Sequence, residues 1–150
     1  MTDIRKVARS LDRIAPGTIL RLGGMTDCFQ PAERRHHATR EAIRRMNARG
    51  IGYLIVTKSA LVAEDEYLAM LDPQLAHIQI SITTTSDALA QTYELASPPS
   101  ARIAAIEKLA AQGFDVSVRL SPFIPQYIDF AILNAIRCRK ILVEFLRVNI

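Results

Sequence analysis

The chain has 150 residues and a mass of 16.7 kDa, of which 49% are hydrophobic and 23% charged, with a formal net charge of +4. This composition predicts one globular domain over 1–150 and excludes disordered, collagen-like and low-complexity classes. The chain has only two cysteines, no apolar stretch near the ~20 residues that cross a bilayer, and no signal-peptide pattern, so we expect a reduced cytoplasmic protein with no membrane partner.

Short apolar runs alternate with helical patterns along the chain. Helical periodicity predicts helices near 3–14, 31–49, 62–71, 86–96, 100–112 and 126–137. The apolar runs between them predict strands at 18–23 (TILRLG), 52–57 (GYLIVT), 77–83 (HIQISIT), 115–120 (DVSVRL) and 140–147 (KILVEFLR). Strands separated by helices predict an α/β fold with parallel pairing through right-handed crossovers.

Several residues mark where these elements begin and end. Pro31 suits the first turn of the second helix, and Ser100, after two prolines, is a candidate N-cap. Gly50 and Gly113 follow helical patterns and are expected to adopt the left-handed conformation that ends a helix.

Basic residues are concentrated in the first third of the chain. Residues 1–50 carry 11 Lys and Arg against 5 Asp and Glu, whereas 51–150 carry 8 against 10, so the two parts have net charges of +6 and −2. A helical wheel of 31–49 places the arginines on most of the helix surface. The residues on the remaining, inward-facing side are Ala32, Thr39, Ala42, Ile43 and Met46. This pattern favours a solvated face, with a nucleic-acid surface as the alternative.

Polar side chains alternate with apolar ones in the predicted strands. Alternation with a period of two places these polar residues on one face of the sheet: Arg21, His77, Gln79, Ser81, Thr83, Ser117, Arg119, Ser121 and Glu144. A parallel sheet covered on both faces would show continuous apolar runs instead. We therefore predict a barrel or partial barrel of about five parallel strands, with helices outside and a polar interior. One alternative is a sheet with one side open to water. The other is that buried Arg–Glu pairs on this face have only a structural role.

The strands end in small or polar residues, and ligands of α/β barrels bind at the carboxyl ends of strands. Gly23 and Gly24 would allow a ligand to approach the backbone, although a lone Gly-Gly is a weak signal. Arg21, Arg119 and Glu144 in such an interior would suit a carboxylate or a phosphate. No metal site and no catalytic trio can be assembled from residue spacing.

Four segments, in order, resemble one family. They are 24–33 (GMTDCFQPAE), 54–59 (LIVTKS), 80–84 (ISITT) and 118–125 (VRLSPFIP). Together they resemble the radical S-adenosylmethionine (AdoMet) superfamily, in the branch of spore photoproduct lyase and the DNA repair photolyases. The resemblance covers the chain from about residue 18 onward. It implies a partial (βα)6 barrel that holds AdoMet across its strand ends.

The resemblance also implies roles for individual residues. Gly23, Gly24 and Met25 match the segment that contacts the methionyl amine, where many members have an acidic residue in place of Met25. Lys58 and Ser81, with Thr83 in the same block as Ser81, match strand-end positions near the cofactor. Arg119 and Ser121 match the far side of the site.

One feature of the family is absent from this sequence. The [4Fe–4S] cluster of the family is held by C-x-x-x-C-x-x-C, and this chain has no such triplet. The chain matches strands two to six, so we expect a fragment, a truncated product or half of a split protein. We also expect an unpaired edge at 18–23 that invites a second copy or a complementing partner.

Three hypotheses follow. The first is the core of a radical AdoMet enzyme whose parent cleaves AdoMet to a 5′-deoxyadenosyl radical, with this chain alone inactive. The second is a non-catalytic binding or scaffold module. The third is a nucleic-acid-binding protein that uses the arginine-rich helix.

Overall fold

The computed structural model describes residues 4–145 and contains one parallel sheet of five strands. The spatial order of the strands is their order in the chain, and every neighbouring pair is parallel. The strands are β1 (Ile19–Leu22), β2 (Gly52–Thr57), β3 (Ala76–Ser81), β4 (Asp115–Phe123) and β5 (Ile141–Phe145). The predicted α/β fold is confirmed, and a five-stranded parallel sheet flanked by helices is consistent with a partial (βα) barrel.

Helices connect the strands. They are α1 (Ile4–Leu11), α2 (Glu33–His36), α3 (Ala38–Ala48), α4 (Asp65–Leu68), α5 (Asp87–Ala90), α6 (Pro99–Ala111) and α7 (Phe130–Ala135). Short 3-10 turns occupy Ala60–Ala63 and Pro125–Tyr127. None of the helices within 4–145 is long and apolar enough to cross a bilayer.

The apolar face of the sheet packs under the helices. Its central residues are buried: Ile55 in β2, Ile78 and Ile80 in β3, and Val116 and Val118 in β4. Helix α6 contributes Ile106 and Leu109 to this core, and α3 contributes Ile43 and Met46. The opposite face carries the polar residues of the same strands, because alternate side chains point to opposite faces.

Several helices are shorter than the sequence predicts. The helix expected over 31–49 is divided at His37, which has a left-handed φ of 50°. Ala32, expected on the inward side of that helix, precedes α2 and is exposed. The Glu33 carboxylate explains the division, since its two oxygens accept the backbone N–H groups of Thr39 (2.8 Å) and Arg40 (2.9 Å) at the start of α3.

The expected cap at Ser100 is wrong. Helix α6 begins at Pro99, and Ser100 instead donates from its Oγ to Asp87 at 2.5 Å. Proline suits this position because its missing N–H would have no partner in the first turn of a helix. Gly50 and Gly113 have φ values of +64° and +82°, as predicted for residues that end helices. The predictions for residue 3 and for 146–147 lie outside the described residues.

Candidate functional site

The carboxyl ends of the strands surround a cavity of about 290 Å³, called here the upper cavity. It lies on the polar face of the sheet, where a parallel fold places ligands. Its walls come from the end of β1 and the following loop, from the ends of β2 and β3, and from β4: Arg21, Gly23, Gly24, Met25, Thr26, Asp27, Val56, Thr57, Lys58, Ser81, Arg119 and Ser121.

Most of the residues that the sequence predicted as cofactor-binding line this cavity. They are Gly23, Gly24, Met25, Lys58, Ser81, Arg119 and Ser121. The eighth, Thr83, does not line this cavity: it is buried and donates from Oγ1 to Glu94 at 3.1 Å. The alternation of side chains therefore places residues distant in sequence around one space.

Gly23 brings the end of β1 close to β2. Its φ is +88°, and a Cβ atom on it would lie 2.2 Å from the carbonyl oxygen of Val56. No larger residue fits this backbone without displacing it. Gly24 has open space around it, so the two glycines have different roles.

Asp27 joins the loop after β1 to the end of β2. Its carboxylate accepts the hydroxyl of Thr57 at 2.8 Å, the backbone N–H of Lys58 at 2.7 Å and the backbone N–H of Phe29 at 2.9 Å. These hydrogen bonds satisfy most of its acceptor sites. Sequence reasoning gave Asp27 no role, because its partners lie up to 31 residues away.

A buried ionic network supports Lys58. Its Nζ donates to Oε2 of Glu94 at 2.8 Å, and the other oxygen of Glu94 accepts from Arg102. Arg102 is fully buried and also donates to the carbonyl oxygens of Ser81 (3.0 Å) and Ser97 (2.5 Å). Burial raises the pKa of Glu94, but its bonds with Lys58 and Arg102 outweigh burial and hold the pKa below its ordinary value.

On the far side of the upper cavity, Arg119 in β4 pairs with Glu144 in β5. It donates to Glu144 at 2.5 Å, and Ser121 donates to the same carboxylate oxygen at 2.7 Å. The bonds from Arg119 and Ser121 lower the pKa of Glu144. The Nε atom of Arg119 is buried and has no partner within the described part of the chain.

The cysteines do not fit an iron–sulfur cluster. The chain has two, whereas the family motif supplies three thiolates. Burial raises the pKa of Cys28 to about 12, with the charge of Asp27 adding to the effect, so its thiolate is disfavoured. The Cys138 thiol donates to the carbonyl oxygen of Val116 at 3.3 Å. Within 4–145 no group of three metal-ligating side chains is assembled.

The arginine-rich segment is largely paired with carboxylates. Arg34 bonds to Glu64, Arg40 to Glu66, and both Arg44 and Arg45 to Glu41. Paired arginines have less charge available for phosphates. These contacts favour a solvated face over a nucleic-acid surface.

Solved structures of spore photoproduct lyase have a similar fold. Spore photoproduct lyase complexed with dinucleoside spore photoproduct matches this chain with a TM-score of 0.61 and 19% identity, over 81% of this chain and 35% of that one. A spore photoproduct lyase double mutant with bound AdoMet and dinucleoside spore photoproduct also has a TM-score of 0.61 at 19% identity, over 79% of this chain and 34% of that one. At such identities the likeness shows the fold alone.

Sequence relatives have no stated activity. An uncharacterized protein of Mycobacterium tuberculosis strain H37Rv is 31% identical over 111 residues, which are 72% of this chain and 33% of that protein. An uncharacterized protein of Mycobacterium bovis matches to the same extent. The chain thus spans about a third of the length of the curated relatives that it matches. No family model matches the chain.

Proposed function

We propose that the upper cavity binds AdoMet and that the chain is the cofactor-binding part of a radical AdoMet-type protein. The proposal rests mainly on one observation: seven residues, predicted from four separate sequence blocks and the adjoining Gly23, line one cavity at the strand ends. The neighbour with bound AdoMet has the same fold over 79% of this chain, which supports the choice of ligand.

Individual residues have proposed parts in binding. The backbone at Gly23 and Gly24 lets the amino-acid end of the ligand approach closely, while Lys58 and Arg119 supply cations for its carboxylate. The Lys58 ammonium is held in place by Glu94, and the Arg119 guanidinium is held by Glu144. Ser81 adds a hydroxyl for the polar edge of the nucleoside.

The chain's own residues do not supply a cluster. AdoMet cleavage in the family draws on an iron–sulfur cluster, and the two cysteines here do not hold one. The proposal for these 150 residues is therefore binding and orientation of AdoMet, with no chemical step assigned to them.

Calorimetric titration with AdoMet and with S-adenosylhomocysteine tests the proposal. We expect saturable binding of AdoMet that is about tenfold weaker in Arg119→Met, because one charged hydrogen-bond donor is lost. Arg137→Met is the matched control, since Arg137 is exposed and does not line the upper cavity. Absence of binding to the wild-type chain, or equal loss in both variants, contradicts the proposal and favours a scaffold role.

A further inference from the structure

A second cavity, of about 370 Å³, lies nearer the amino ends of the same strands and is called here the lower cavity. It shares no lining residue with the upper cavity. Its polar walls come from β3 and β4, and Ile19 and Leu54 give it apolar surface. The volume is in the range of small-ligand sites, which is roughly 300–1,000 Å³.

The carboxylate of Asp115 is paired with two basic side chains in the lower cavity. Asp115 accepts from Nδ1 of His77 at 2.8 Å and from Nζ of Lys140 at 2.5 Å through different oxygens. The bonds from Lys140 and then His77 lower the pKa of Asp115, which keeps the carboxylate ionised. Because an ionised carboxylate only accepts, Nδ1 of His77 carries the hydrogen of this bond.

Two further polar side chains in this cavity have no partner among residues 4–145. Gln79 and Ser117 are register partners on adjacent strands, and both are half-buried. Neither side chain makes a hydrogen bond or an ion pair with any residue of the described chain. Half-buried amides and hydroxyls are normally satisfied by protein, water or ligand, so these groups are available to a ligand.

The set of free groups defines the ligand class. The Gln79 amide presents a donor and an acceptor in one plane, and the Ser117 hydroxyl can donate or accept. A side-chain amide recognises the edge of a nucleobase by a donor–acceptor pair. The paired Asp115 and Lys140 give no net charge to attract an anion or a cation.

We propose that the lower cavity is a second ligand site, for a neutral heterocycle of the nucleobase type with an N–H donor beside a carbonyl or ring-nitrogen acceptor. The heterocycle lies with its polar edge toward Gln79 and Ser117 and its face against Leu54 and Ile19. This site is independent of AdoMet binding in the upper cavity.

The proposal is tested by NMR titrations of the protein with thymidine, with adenosine and with free deoxyribose. We expect both nucleosides to bind and deoxyribose not to bind. Gln79→Leu and Ser117→Ala should each weaken nucleoside binding about three- to tenfold, because each loses hydrogen bonds to the base. The matched control is Gln126→Leu, the same change at an exposed position that does not line either cavity.

A further arm separates this site from the upper cavity. Nucleoside affinity should be unchanged in Arg119→Met, because Arg119 lines only the upper cavity. Failure of both nucleosides to bind, indifference to Gln79→Leu and Ser117→Ala, or weakened nucleoside binding in Arg119→Met would overturn the proposal. If nucleosides bind as expected while AdoMet does not bind at all, the lower site stands and the proposed function fails.

Discussion

Lys58 at the end of β2 and Glu94 in the segment before α6 form an ion pair of 2.8 Å beside the upper cavity. The Glu94 side chain is 8% exposed, and behind it lies the fully buried guanidinium of Arg102. One carboxylate therefore neutralises a buried arginine and fixes the lysine that faces the cavity. Removing it leaves a buried charge without its partner, which is costly.

Glu94→Gln should destabilise the fold at neutral pH by roughly 3 kcal/mol for this reason. Because the folded-state pKa of Glu94 lies below its ordinary value of 4.5, its stabilisation is present above that value and is lost as pH falls through the folded-state pKa. The difference between wild type and Glu94→Gln should therefore shrink below about pH 4. Urea unfolding of both proteins at pH 7 and at pH 3.5 measures this difference in the free energy of unfolding.

Glu107→Gln is the control for that experiment, because Glu107 is only partly buried and has no ion pair among the described residues. Its effect should stay within about 0.5 kcal/mol at either pH. If the difference in free energy of unfolding between wild type and Glu94→Gln does not change with pH, then the ion pairs of Glu94 do not stabilise the fold as proposed.

Gly23→Ala and Gly24→Ala should behave differently. The first places a Cβ against the Val56 backbone at a positive φ, and we expect a loss of about 2–4 kcal/mol. The second has open space and ordinary φ, and its effect should stay within about 1 kcal/mol. Thermal unfolding of both variants provides the measurement, and equal stabilities would contradict the close approach of β1 to β2.

Anaerobic reconstitution with iron and sulfide should give no cluster on this chain. The chain has too few thiols for the family's ligand set, and the pKa of Cys28, raised to about 12 by burial, disfavours its thiolate. After desalting, the iron content and visible absorbance should equal those of a variant with Cys28→Ala and Cys138→Ala. A cluster band present in the wild type and absent from that variant would refute this prediction.

The outer strand β5 should promote self-association. Ile141, Val143 and Phe145 are 49%, 42% and 74% exposed, and within 4–145 this strand pairs only with β4. Exposed apolar edge strands pair with other chains. Light scattering after gel filtration should show mass rising with concentration, and Val143→Lys should reduce this rise.

Ala104→Lys adds the same charge at an exposed position of α6 and should leave the association unchanged. A wild-type chain that remains monomeric at every concentration would contradict the role of β5. The same result would count against the expectation from sequence that the edge at β1 recruits a second copy.

The polar face of the sheet was predictable because it depends on a local rule. Alternation in β3 and β4 places Ser81 beside Arg119 and Gln79 beside Ser117, and the structure pairs them in register. The grouping of the strand ends was predictable from the topology, since parallel strands bring their carboxyl ends to one edge of the sheet.

The buried charges were not predictable. Arg102 and Glu33 both belong to helical segments where charged residues usually face water, yet they are 0% and 3% exposed. Their partners are distant in sequence: Tyr67 donates to Glu33 at 3.2 Å, and Ser81 accepts from Arg102. Periodicity within one helix carries no information about such contacts.

The location of bound AdoMet tests the central claim most directly. Backbone amide shifts in an isotope-labelled chain, followed during titration with AdoMet, should change at Gly23, Gly24, Lys58 and Ser81 and saturate together. The amide signals of the buried core, such as that of Ile106 in α6, should not shift. Saturating shifts confined to residues outside the upper cavity, or no shifts at any AdoMet concentration, would contradict the account.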